Sequence, residues 1–142
     1  MATRTDIVTE TRTWLGVKWR HQGRSRENGV DCIGLPIVVG WALGLHALDI
    51  LNYSRRPTGN LISGLEAVAV SRRVQDAEDG DIFVFAEQNE PCHLGIRSTL
   101  YDMPAVIHAY AGRRCVTEQT LKEAESIIGK PIRCFVMPGL DN

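Results

Sequence analysis

The stretch GVDCIGLPIVVGWALGL, residues 29–45, decides how this chain is read. From Ile33 to Leu45 it is an apolar run of about 13 residues. A bilayer span needs ~20, so the run has the length of a buried core helix. Asp31 stands just before it and is a good N-cap type, which predicts a helix from Cys32 to about Leu45. Cys32 then falls at a helix N-terminus, where unpaired amides and the helix dipole favour an anion and hence the thiolate. Pro36 lacks an N–H, so an irregular first turn is expected.

Upstream, Ile7, Val8, Thr11, Trp14 and Leu15 recur at helical spacing and predict a helix over 4–15, stopped by Gly16. VKWRHQGRSRENGV, residues 17–30, reads as a loop. Downstream, 52–60 is loop-like and a third helix is expected over 61–70, with His46 helping to terminate the second. The period then changes. Asp79-Gly80 is a turn signal, followed by strands at 82–85, 93–97, 105–110, 114–117 and 132–136, with a short helix over 121–128. Helices first and strands second is an α+β pattern: N-terminal helices packed on a mostly antiparallel sheet of about five strands.

The 142 residues make one expected domain, 1–142, with 44% hydrophobic and 23% charged residues as in ordinary globular chains. Sixteen Lys and Arg against 17 Asp and Glu leave a net charge of −1, which excludes a strongly basic nucleic-acid binder. The arginine pairs at 55–56, 72–73 and 113–114 read as solvated surface. Four cysteines show no CxxC spacing, and a chain of this size needs no disulfide framework. MATRTDIVTE at the N-terminus has no apolar segment, so synthesis in the cytoplasm without a signal peptide is expected.

Three residues carry the candidate chemistry. His93 opens one strand and His108 lies in the next; a connection centred on Tyr101-Asp102 makes them near neighbours across a hairpin. With Cys32 they compose a nucleophile, a general base and acid, and a group that orients the base. Zinc fits less well, because Cys92 and His93 are adjacent on a strand and expected on opposite faces, and no paired ligand spacing exists. No metal or other cofactor is therefore expected. Cys115 and Cys134 sit in apolar β-rich segments and read as core cysteines.

GVDCIGL (29–35) resembles the cysteine motif of the NlpC/P60 peptidases, a papain-like group acting on bacterial cell-wall peptides. AEDGDIFVF (77–85) is similar to the strand entered through Gly-Asp, CHLGI (92–96) to the catalytic-histidine strand, and VIHAY (106–110) to the strand bearing the third polar residue. WLGVKWRHQGRS (14–25) resembles the lead-in of phage tail-associated members. The resemblance implies a papain-like α+β fold and hydrolysis of an amide in peptidoglycan stem peptides, with Cys32, His93 and His108 as the triad. Cys before His speaks against the circularly permuted acyltransferase branch. Two departures stand out. Ile33 replaces a Ser that follows the cysteine in many members, and Trp19 stands where many have a Tyr near the oxyanion. Trp19, His21 and Asp31 are the expected oxyanion and substrate-binding residues, together with the Cys32 N–H. The implied partners are peptidoglycan peptides and tail-tip proteins, and the implied setting is a virion or tail particle that carries the protein to the host wall. A tail assembly protein with little catalysis, an injected amidase effector and a thiol acyltransferase stay open as alternatives.

Overall fold

The computed structural model describes residues 1–45, 60–87 and 90–140. Its first helix opens on a reciprocal cap. Thr3 Oγ1 accepts from the Asp6 N–H at 3.1 Å, and the Asp6 carboxylate accepts from the Thr3 N–H at 2.9 Å. Helix α1 (Arg4–Arg12) buries Ile7, Val8 and Thr11 along one side. It ends three residues before the expected stop, yet Trp14 is buried in the following turn beneath the Arg26 guanidinium, 4.3 Å from its ring centre.

Two short strands, β1 (Arg24–Ser25) and β2 (Gly29–Val30), form an antiparallel ribbon in the segment read as loop. Helix α2 spans Gly34–Ala42, within the predicted 32–45. Asp31 still caps the turn into it: its Oδ1 accepts from the Gly34 N–H at 2.8 Å, and its carbonyl accepts from the Leu35 N–H at 3.0 Å. Cys32 lies in that turn, ahead of the helix proper. Pro36 sits in the first helical turn, where its missing N–H is tolerated. Gly44, with φ +69°, follows the end of the helix. Helix α3 (Asn60–Val68) buries Leu61 and Leu65.

The main sheet runs β3 (Ser71–Arg72), β8 (Arg133–Phe135), β4 (Ile82–Glu87), β5 (Glu90–Leu100), β6 (Met103–Tyr110), β7 (Cys115–Thr120), each pairing antiparallel. Six strands replace the expected five, because a two-residue edge strand such as β3 carries no readable periodicity. Strand β4 is apolar in an unbroken run because both its faces are covered. Ile82 and Val84 join the cluster of α1 and α2; Phe83 and Phe85 join Ala124 of helix α4 (Leu121–Ile128). Two 3₁₀ turns, Val74–Asp76 and Ala111–Arg113, complete the described elements. Among the described residues, no helix is long and apolar enough to cross a membrane.

Asp81 ties α1 to the sheet. Its carboxylate is fully buried, 2.6 Å from Arg4 Nη1, and accepts from the Glu78 N–H at 2.8 Å.

Two features position the site. First, β5 and β6 part company. Their pairing runs from Leu100↔Met103 to Ile96↔Ile107; beyond it β5 continues along β4 to Glu90 and β6 along β7 to Tyr110. Second, residues 16–20 bridge the β7 edge to β2. The Trp19 N–H donates to the Arg114 carbonyl at 2.8 Å, and the Val30 N–H donates to the Lys18 carbonyl at 3.0 Å. This path delivers Asp31 and Cys32 to the parted strands.

Candidate active site

His93 and His108 are diagonal neighbours. Tyr101 and Asp102, with φ +53° and +59°, make a two-residue turn of the primed kind, which sets Leu100 opposite Met103. Continuing that register puts His93 across from Tyr110 and His108 across from Gly95. The sequence reading, centred half a residue earlier, paired the histidines too directly; their common face survives because the offset is two residues. The rings meet where the strands diverge, with His93 Nε2 and His108 Nδ1 2.7 Å apart. A Cβ on Gly95 would come within 2.3 Å of Val106 Cγ2, so the close approach of β5 to β6 beside His108 requires glycine.

Behind His108 lies Gln119 of β7, its Oε1 2.8 Å from His108 Nε2, deep in the structure. Tyr110 stacks on His108, centroids 5.4 Å apart with an interplanar angle of 16°. Neither residue was found from sequence. Gln119 lies eleven residues beyond His108 on the next strand, and only the β6–β7 register, His108↔Thr117, shows that it can reach. Tyr110, two residues after His108, was legible from strand alternation alone.

Cys32, His93, Cys92, Trp19, Phe85 and Tyr110 line one cleft of about 660 Å³, closed on another side by Ile127 and Ile128 of α4. Glu87 is the one carboxylate among the described lining residues, and no Lys or Arg is among them. Cys92 shares this cleft with His93 against expectation. The pairing of β4 with β5 jumps from Phe85↔His93 to Ala86↔Pro91, leaving Cys92 as the extra residue of a bulge, which breaks simple alternation. The geometric reason given against a shared metal site thus fails, although among the described residues no group of three His, Cys, Asp or Glu is placed to hold an ion.

Asp31 and His21 do not line the cleft. Asp31 is buried: Oδ2 accepts from the Gln22 N–H at 2.7 Å and Oδ1 from the Gly34 N–H, with Arg24 Nη1 at 3.3 Å. Its carboxylate holds the turn that carries Cys32 and is not presented to a substrate. Trp19 does line the cleft. Cys134 is core as expected, whereas Cys115, at the start of β7, is half-exposed. His46, Tyr53 and Arg55 lie outside the described residues.

The electrostatics also differ from expectation. Burial pushes the Cys32 thiol up to about 12, opposed in part by a backbone hydrogen bond near Leu94 and reinforced by the Asp31 charge. Desolvation of the thiolate is the largest influence on this thiol. Burial, with His108 adding to it, holds His93 down to about 3. His108 is lowered by burial as well. The resting pair is therefore a neutral thiol and a neutral imidazole. Cys32 Sγ donates to the Cys92 carbonyl at 3.8 Å, in the wall it shares with His93.

The chain superposes on the NlpC/p60 domain of the peptidoglycan hydrolase SagA with a TM-score of 0.68 at 20% identity, covering 96% of this chain and 100% of that one. The fold is that of the NlpC/P60 domains. NlpC1 from Trichomonas vaginalis gives a TM-score of 0.72 at 17% identity, over 99% of this chain and 46% of that one. An N-acetylmuramoyl-L-alanine amidase from Bacteroides uniformis gives 0.65 at 13% identity, over 94% and 98%. No protein-family model matches the sequence, and no curated protein does. The NlpC/P60 likeness is thus one of architecture.

Proposed function

We propose that this protein is a cysteine hydrolase that cleaves an amide bond in peptidoglycan stem peptides. One observation carries the reading: a thiol at a helix-entry turn and His93, the outer member of a His93–His108–Gln119 relay, line one cleft of an NlpC/P60 fold. Several of the similar structures are named as peptidoglycan hydrolases or amidases, which supports the substrate class.

In this reading substrate enters the cleft and displaces water. The Cys32 S–H turns from the Cys92 carbonyl to His93, which takes the proton as sulfur attacks the carbonyl carbon. His93 then protonates the leaving amine, and water releases the acyl group in a second cycle. Starting from a neutral pair, proton transfer accompanies attack. The Cys32 N–H and groups on the Trp19 side stabilise the oxyanion.

The lead-in segment of residues 14–25 supports carriage in a phage or phage-like tail that opens the wall locally, with tail-tip proteins as partners. Incubation of purified cell wall with wild type and Cys32→Ala, followed by mass spectrometry of released fragments, tests the reading. Wild type should release peptides cut at one bond, and Cys32→Ala should release none while keeping its circular dichroism and melting temperature. Equal release by both, or none by either, overturns it.

A further inference from the structure

The relay behind the base has a direction that follows from the orientation of one amide. With Gln119 Oε1 facing the ring at 2.8 Å, as it stands in this structure, the oxygen can only accept, and His108 Nε2 carries the proton. A neutral His108 then has a bare Nδ1. Across 2.7 Å, His93 Nε2 must donate to that Nδ1, and a neutral His93 is left with a bare Nδ1 of its own. That atom is the free base of the ring. Reversing the Gln119 amide reverses every proton in the chain: His108 would hold its proton on Nδ1, and His93 would keep its proton on Nδ1 and have no base to offer. The Gln119 amide nitrogen is buried without a hydrogen-bond partner, so no second contact at that end opposes or fixes the amide.

We propose that Gln119 is a positioning residue that sets the proton order of the histidine pair, its Oε1 holding the proton on His108 Nε2 so that His93 Nδ1 stays bare to receive the Cys32 proton. An uncharged amide suits this role better than a carboxylate. A negative charge at 119 would favour the imidazolium form of His108. Its Nδ1–H would then point at His93 Nε2 and force the other ring order. The groups facing His108 agree with a neutral ring: His93 from β5, Gln119 and the Thr117 backbone partner from β7, the Tyr110 ring from its own strand, and the Arg113 charge from the turn after β6. Among the described residues no carboxylate acts on it.

The kinetic consequences rest on the hydrolase reading; the proton order itself does not. Long-range ¹H–¹⁵N correlation spectra of ¹⁵N-histidine protein should show wild-type His93 and His108 both protonated on Nε2 and bare on Nδ1 at neutral pH. Gln119→Leu should show His108 as mixed tautomers. On soluble stem peptides its kcat should fall at least about tenfold with KM unchanged, since a wrong tautomer costs up to ~10⁴ in triad hydrolases. Gln119→Glu should move the acid limb of kcat upward by about one pH unit or more and recover activity on the alkaline side, which structural damage would not do. Wild-type His108 protonated on Nδ1, or a Gln119→Glu profile merely scaled down without a shift, overturns the proposal. If wild type cleaves no stem peptide, the hydrolase reading fails while the spectra still decide the proton order.

Discussion

His93 is held neutral by its surroundings, and this has a consequence for stability with a definite sign. Its folded value, about 3, lies below the ordinary 6.5. Between those values the unfolded chain binds a proton that the folded protein refuses. The stability present above about pH 6.5 is therefore lost as pH falls toward 3. Urea midpoints measured over that range should decline for wild type and decline less for His93→Gln; parallel curves would contradict the lowered proton affinity of the ring. At this scale the sequence was informative about identity and less so about state. That Cys32, His93 and His108 come together was legible because a helix-entry cysteine and two hairpin-neighbour histidines stand out by position. The protonation of Cys32 was not, because it depends on desolvation by parts of the chain distant in sequence. Asp31 shows the same limit: its capping role was readable from one helix start, whereas its bonds to Gln22 and Arg24 depend on the β1–β2 turn.

At the scale of elements, the parting of β5 and β6 makes room for the two imidazoles, and Gly95 marks where the strands still touch. Gly95→Ala would drive a methyl to within 2.3 Å of a buried Val106 methyl, so the valine or the strands must shift. Overpacking of this kind costs about 1–3 kcal/mol. The variant should melt lower and lose hydrolysis more than its stability loss explains, since the displaced strand carries His93. Retained activity beside a lowered melting temperature would show that the relay tolerates a shifted β5. The hairpin itself was legible from alternating apolar residues around Tyr101-Asp102. Its register was off by one index because a primed two-residue turn has its centre between residues, not on one. The bulge at Cys92 had no signal in the sequence, and it alone places that thiol in the cleft wall.

Across the whole molecule, the order of helices before strands foretold the layering, while the two-residue strands and the 16–20 bridge were unreadable because each is defined by partners and not by pattern. The join between layers rests on Asp81. Removing its carboxylate would leave the Arg4 guanidinium facing a buried site without its closest anion, a loss of about 3–5 kcal/mol for a broken buried pair. Asp81→Ala should therefore unfold at markedly lower denaturant, and Arg4→Met should lose part of the same interaction; two variants indistinguishable from wild type would make the pair incidental.

The cleft wall, aromatic and aliphatic with a single described carboxylate, bears on how a ligand arrives rather than how it reacts. With a net charge of −1 and no Lys or Arg among the described lining residues, the described cleft wall offers an anionic fragment no charge attraction for salt to screen. Encounter should then depend on contact alone. Raising salt from low to physiological strength, where the screening length falls to about 8 Å, should leave kcat/KM within about twofold. Under the proposed hydrolase reading, a high local concentration of substrate then comes from whatever tethers the protein near it, not from the protein's own field.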